Sequence, residues 1–199
     1  MHKAPLFIGE FGVPWRPSED GNSRAEASHQ ITEATALDLF DQASIGFSRP
    51  WFADDRAGIT IGRQVWSWSL ISGSSGLKGK QRDFIFDVLV RPYPRRTAGT
   101  LGPLSYDIDT KKFAMSYTPS LDSGDTLIFI PQERQYNNGF TVSHSSGVTL
   151  RLSSSSSFLE VTSNPGGVDE GRFSWDQANQ LLSISESEVG GIVTIEVGP

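Results

Sequence analysis

The sequence changes character once, near Pro92–Thr100, and that change constrains the fold more than any other feature. Upstream of it, strand-like and helix-like segments alternate. Downstream, short alternating strands are separated by Ser, Gly and Asn turns. The order strand, helix, strand, helix with long crossovers reads as parallel βαβα architecture. Many short period-two strands with frequent turns read as an antiparallel β-sandwich. The chain therefore reads as α/β plus all-β, with domains at 1–95 and 96–199. Its 199 residues, 37% hydrophobic and 11% aromatic, are enough for a core in each.

Charge and motif content narrow the function classes. The net charge is −6 and the pI about 5.0, with no long basic run, so no nucleic-acid partner is expected. Cysteine is absent, which removes disulfides and thiolate metal sites. No stretch approaches the ~20 apolar residues that span a bilayer, and the N-terminus lacks the apolar core of a secretory leader. His2, His29 and His144 show no metal spacing, and there is no Gly-rich phosphate loop and no G-x-S-x-G elbow. Neither a metal nor a cofactor is expected. Asp54-Asp55 and Asp107/Asp109 read as solvated turns, and Ser153–Ser157 as a solvated edge or loop.

The chemistry-bearing stretch is Pro5-Leu6-Phe7-Ile8-Gly9-Glu10-Phe11-Gly12. Strands of parallel sheets are nearly continuously apolar because both faces are covered, so a carboxylate at the end of one is costly without a task. Leu6, Ile8 and Glu10 share one strand face. Glu10 reads either as a catalytic carboxylate or as a salt-bridged strand end. Ser23, with Glu26 three residues on, has capping-box spacing. Ala36, Phe40, Ala43 and Phe47 then form a helical stripe that Gly46 and Pro50 end. Residues 48–62 read as an irregular insertion. Gln64–Leu70 is a second strand candidate in which Trp66 and Trp68 face the same way. Indole rings stack on the C–H faces of sugars, and they also fill cores; Trp68 is the better candidate for facing a ligand. Trp15, in the loop after Glu10, reads as a glycan contact or a loop anchor. Gln81–Val90 reads as a helix stopped by Pro92.

In the second part, Leu104, Tyr106 and Ile108 alternate, Asp109-Thr110-Lys111 turns, and Phe113, Met115 and Tyr117 alternate, a hairpin pattern. Further strands are expected at Thr126–Ile130, Phe140–Val142, Val148–Leu152, Phe158–Val161, Phe173–Trp175, Leu181–Ser185 and Ile192–Val197. Asn137-Asn138-Gly139 and Asn164-Pro165-Gly166-Gly167 are the turn signals.

Arg91-Pro92-Tyr93-Pro94, Thr97-Ala98-Gly99-Thr100, Leu104–Asp109 and Phe113–Pro119, read with Pro5–Gly12, resemble the C-terminal part of the endoglycoceramidase-related enzymes of glycoside hydrolase family 5. Thr126–Pro131 and Tyr136–Val142 are similar to the middle strands of that family's sandwich. The resemblance implies the last two βα units of a (β/α)8 barrel followed by a C-terminal antiparallel β-sandwich. It makes residues 5–11 strand seven, Val65–Leu70 strand eight, Glu10 the nucleophile of a retaining mechanism, and Trp68, Trp66 and Trp15 substrate contacts. It implies hydrolysis of the bond between a sugar and a lipid such as ceramide or a sterol. A glycolipid substrate and peripheral membrane contact are the partners this implies, and a secreted or lysosome/vacuole-like compartment is expected for a full-length parent. A barrel typically needs ~250 residues, so a preceding barrel segment is expected. The family's Asn-Glu-Pro acid/base motif has no counterpart in these 199 residues, and the isolated chain is expected to be inactive. The alternative is a non-catalytic sandwich that binds glycans, lipids or a partner.

Overall fold

In a computed structural model, the structure describes residues 7–8, 23–43, 46–47, 60–61, 64–65, 71–72, 80–81, 83–120, 123–163, 172–186 and 191–199. The chain divides into two compact units, Met1–Leu89 and Val90–Pro199.

The first unit opens with β1 (Phe7–Ile8), α1 (Ser23–Gln42) and β2 (Gly46–Phe47). β1 and β2 pair in parallel, Phe7 with Gly46 and Ile8 with Phe47. Parallel neighbours need a crossover between them, and α1 supplies it. Among the described residues the parallel partner of β1 is β2. Phe47, expected on the helical stripe, is a strand residue, because α1 ends at Gln42. The buried face of α1 is also displaced from the expected one: Glu33, Ala34 and Leu37 are buried, while Ala43 is exposed. Two short antiparallel pairs follow, β3 (Thr60–Ile61) with β4 (Gln64–Val65) and β5 (Ile71–Ser72) with β6 (Lys80–Gln81). Gln64–Val65, the start of the second expected strand, thus pairs antiparallel, and residues 66–70 lie outside the described residues. α2 (Asp83–Leu89) is shorter than the expected helix because Gln81 belongs to β6. It packs on α1, and Val88 is fully buried.

The second unit is two antiparallel sheets around one core. The strands are β7 (Tyr93–Arg96), β8 (Gly99–Asp107), β9 (Lys112–Pro119), β10 (Thr126–Phe129), β11 (Gly139–His144), β12 (Val148–Ser153), β13 (Glu160–Ser163), β14 (Phe173–Asp176), β15 (Leu181–Ile184) and β16 (Val193–Gly198), with the one-turn helix α3 (Gln132–Gln135) after β10. One sheet has the order β13-β12-β11-β16-β9-β8 and the other β14-β15-β10-β7. Side chains alternate in and out with the strand period. Phe113, Met115 and Tyr117 of β9, Phe140 and Val142 of β11, and Leu150 and Leu152 of β12 face inward against Ile128, Leu182 and Ile184 of the other sheet. Burial of that apolar surface is the main stabilising term. Nine of the strands fall where hydrophobic alternation placed them or within a few residues. Two elements, β7 and α3, escape it.

β7 carries Pro94 and only one of its four residues is even half-buried, so it has no alternating signal. Proline has no N–H for a ladder and is tolerated on edge strands; β7 is the edge of its sheet, and Pro94 lies opposite Ile128 beside a bulge at Arg95 of β7. The position expected as a domain boundary, 95/96, falls inside this strand.

The motifs that carried the resemblance have structural causes. Arg91 is buried, with its guanidinium 5.1 Å from the centre of the Tyr106 ring, a cation–π contact. Ala98 is also buried: its N–H donates to Thr126 Oγ1 at 2.9 Å, and its carbonyl accepts from Ser120 N at 2.8 Å. Gly99 has φ +144°, and a Cβ there would lie 2.1 Å from the carbonyl oxygen of Thr118. Only glycine suits that position.

Candidate functional site

Glu10, Trp15, Trp66 and Trp68 lie outside the described residues. Glu10 follows β1 by two positions, so the described neighbour of the expected nucleophile is a strand paired in parallel through a helical crossover.

The densest chemistry among the described residues is a buried polar cluster at Glu186, just after β15. The Glu186 side chain is only 7% exposed. Its carboxylate accepts from Tyr117 Oη of β9, from His144 Nε2 of β11 at 3.2 Å, and from Arg172 Nη2 at 2.5 Å, just before β14. Arg172 Nε also donates to the Ser185 carbonyl at 3.0 Å. These donors come from both sheets. Burial alone would raise the Glu186 pKa, but the hydrogen bonds from His144 and Tyr117 and the positive charge of Arg172 hold it below the ordinary glutamate value. Burial and the bond to Glu186 push the Tyr117 hydroxyl well above its ordinary pKa, so it stays a donor.

The histidine tautomer follows from its neighbours. Ser146 N–H donates to Nδ1 at 3.1 Å, and Ser146 Oγ lies 2.7 Å from the same nitrogen. Nδ1 is therefore the acceptor, which leaves the proton on Nε2, facing Glu186. Serine, histidine and glutamate in a row invite comparison with a nucleophilic triad. The arrangement is wrong for that use: Ser146 and Glu186 sit on opposite nitrogens, but the His144 side chain is only 2% exposed, and Glu186 is already held by three donors. The cluster is a clamp between the two sheets. Sequence reading missed it because its members lie far apart along the chain, and Glu186 and Arg172 stand in stretches without strand periodicity.

A second network ties the segment after α2 to the sheets. Gln135 Nε2 donates to the Val90 carbonyl at 2.7 Å, Lys111 Nζ donates to Gln135 Oε1 at 2.5 Å, and Tyr136 Oη donates to the Lys111 carbonyl at 2.7 Å. It positions Arg91–Arg96 and has no free reactive group. Among the described residues no group of three His, Asp or Glu side chains is placed to hold a metal ion, and no helix is long and apolar enough to cross a membrane.

A cleft of about 370 Å3 opens where edge strands β13 and β14 of the two sheets approach each other. Phe173 forms one wall, and its other surroundings are the clamp: the His144 ring is 5.6 Å away, edge to face, and the Arg172 guanidinium 5.8 Å.

Comparison with known proteins agrees with this architecture. The family model described as the glycoside hydrolase family 5 C-terminal domain matches residues 91–197. Endoglycoceramidase I of Rhodococcus hoagii (strain 103S) is 31% identical over 114 residues, covering 57% of this chain and 19% of that protein. Endo-glycoceramidase II from Rhodococcus sp., solved with a five-membered iminocyclitol, superposes with TM-score 0.60 at 19% identity, over 98% of this chain and 33% of that one. Sterylglucosidase 1 of Cryptococcus neoformans superposes with TM-score 0.63 at 17% identity, over 98% and 28%. The chain thus spans about a fifth to a third of the length of these relatives, and at such identities the structures speak for the fold, one of mostly antiparallel sheets with few helices. The domain model covers more than half of the residues and ends one residue before the last residue of β16, and on that ground the chain belongs to glycoside hydrolase family 5, through its C-terminal domain.

Proposed function

We propose that this chain is the C-terminal portion of a retaining β-glycosidase that cleaves the bond between a sugar and a lipid aglycone. Residues 1–95 contribute the last two βα units of a (β/α)8 barrel, and 96–199 its C-terminal sandwich. The observation that carries the reading is the family domain at 91–197 on the same chain as Pro5–Gly12. The parallel β1–α1–β2 unit just before and after Glu10 is consistent with it. Active sites of such barrels lie at the C-terminal ends of the strands, and Glu10 follows β1 by two positions in the sequence. The lipid aglycone is inferred from the relatives, named for action on glycoceramides and steryl glucosides. Such a substrate would bring the parent enzyme to a membrane surface.

In this mechanism Glu10 attacks the anomeric carbon, the aglycone oxygen leaves with a proton from a second carboxylic acid, and water then releases the sugar from Glu10. The second carboxylate must lie about 5 Å from the first. Trp68, Trp66 and Trp15 would floor the sugar subsite by stacking. No Asn-Glu-Pro segment occurs in the 199 residues, so these residues by themselves should not complete the double displacement.

The test is turnover of a fluorogenic β-glucoside and of glucosylceramide. The chain alone should give none. Joined to the barrel segment encoded upstream, it should turn over, and Glu10→Gln should abolish the activity. Robust hydrolysis by the 199 residues alone, or full activity of the joined Glu10→Gln variant, would overturn the reading.

A further inference from the structure

We infer that the cleft between β13 and β14 is a binding site for a neutral saccharide, separate from the hydrolytic site proposed above and not dependent on it. Two aromatic residues line it, Phe158 from the loop before β13 and Trp175 from β14. Phe158 is 79% exposed, a cost that a free chain would avoid, yet its backbone is held by one serine. Ser156 Oγ accepts from Phe158 N and donates to the Phe158 carbonyl, each at 3.0 Å, and Ser156 N donates to the Ser153 carbonyl at 3.1 Å. The serine run is thus a built turn that presents an aromatic ring. Trp175, on β14, packs edge to face on Phe140 at 5.2 Å, and its indole N–H donates to Gln177 Oε1 at 2.7 Å. Its orientation is set before any ligand arrives, which reduces the entropy cost of binding.

The lining chooses the ligand class. The described residues that line the cleft carry no charge: Phe158, Leu159, Val161, Phe173 and Trp175, with Ser157 and Ser174. The site therefore favours a neutral molecule with both apolar and hydroxyl-bearing faces. A pyranose ring has C–H faces for the aromatics and equatorial hydroxyls for the serines. β13 and β14 are also edge strands, so each carries backbone N–H and C=O groups without a ladder partner, further donors and acceptors for sugar hydroxyls. A hydrocarbon chain would use none of these polar groups. The volume of about 370 Å3 lies at the small end of ligand sites, suited to one or two sugar rings.

The experiment is calorimetric titration of the full chain with lactose, cellobiose and maltose, and separately with phosphatidylcholine vesicles. At least one disaccharide should bind, with Kd of about 1 mM. Phe158→Ala should weaken that binding about fivefold, the scale of one aromatic contact, and Phe158→Trp should restore it. Phe158 is exposed, so neither variant should impair folding. Ser174→Trp, which fills the mouth, should abolish binding, while Tyr93→Ala, at the exposed opposite edge of the β14 sheet, should leave it unchanged. Three outcomes overturn the inference: no disaccharide binding, binding lost in Tyr93→Ala but kept in Phe158→Ala, or Phe158-dependent binding to vesicles alone. The first leaves the hydrolytic reading untouched, because no turnover is measured.

Discussion

The two units of this chain pair their strands in different ways. Among the described residues, those of 1–89 form one parallel and two antiparallel two-stranded pairs. Residues 90–199 contain strands of up to nine residues in two sheets with a shared core. The difference follows from connectivity. An antiparallel strand finds its partner through a turn of a few residues, as β8 and β9 do. A parallel strand finds its partner only through a crossover, as β1 and β2 do through α1. The second unit starts from hairpins such as β8–β9 and β11–β12 and closes its sheets with β16 and β10, whose partners lie far along the chain. The candidate nucleophile follows, in sequence, a strand paired through a crossover, and the family domain is the part built on hairpins.

The strongest way to break this comparison is to attack each core. Leu150 is fully buried in β12, among the inward side chains of both sheets. Leu150→Ala should destabilise the second unit by about 3–4 kcal/mol, the loss of transfer energy plus the cavity left behind. Leu37→Ala, on the buried face of α1, should leave that unfolding transition in place. Denaturation followed by near-ultraviolet circular dichroism separates the two. A shift of the same transition by both variants would show that the units unfold as one.

The clamp at Glu186 gives the next largest effect and adds a pH dependence. Glu186→Gln removes the charge that Arg172 and His144 face, and breaking a buried pair of this kind costs about 3 kcal/mol. The folded-state pKa of Glu186 is lowered, so its stabilisation is present above the unfolded value of about 4.3. It is lost as pH falls through the lower folded value. The stability gap between wild type and Glu186→Gln should be full at neutral pH and close in acid. A gap unchanged down to pH of about 2 would assign the loss to packing rather than to the charge.

The same contrast explains what was legible in the sequence. The β8–β9 hairpin announces itself because period-two alternation and the turn lie in one local window. The Arg-Pro-Tyr-Pro and Ala-Gly motifs were visible as patterns, but their causes, Arg91 on Tyr106 and the positive φ of Gly99, depend on partners beyond that window. β7 and α3 were missed for lack of periodicity, and β2 because Phe47 fits the helical stripe of α1 equally well. Asn137-Asn138-Gly139 was read correctly as a turn, yet among its residues only Gly139 takes a positive φ, +102°, where a Cβ would meet the Leu152 carbonyl oxygen at 2.2 Å. The clamp was illegible because four residues from both sheets converge on it without a shared motif. Gly139→Ala should cost about 2 kcal/mol, combining the left-handed backbone with that clash, less than the loss of the clamp and measurable by the same denaturation curves.

The smallest expected effect tests whether local turns alone sustain the second unit. Two hairpins are built alike. In β8–β9, Asp107 closes the loop and its Oδ1 accepts from the backbone N–H groups of Asp109 and Thr110 at 3.0 and 2.9 Å, and Lys111 stands at φ +58°. In β14–β15, Asp176 Oδ1 accepts from Asn179 N at 3.1 Å, and Gln180 stands at φ +53°. These bonds hold both carboxyls below the ordinary aspartate pKa, through the Thr110 backbone for Asp107 and the Asn179 side chain for Asp176. Each therefore stabilises its turn above the unfolded pKa and ceases to as the pH falls through the folded one. Both aspartates are solvent-facing, so Asp176→Ala should lower the melting temperature only slightly at neutral pH and not at all in acid. Asp107→Ala should cost more than Asp176→Ala, because the Lys111 beyond its turn also bonds Gln135 and, through its carbonyl, Tyr136. Equal losses would mean that the turn, not the network it positions, is what β8 and β9 require.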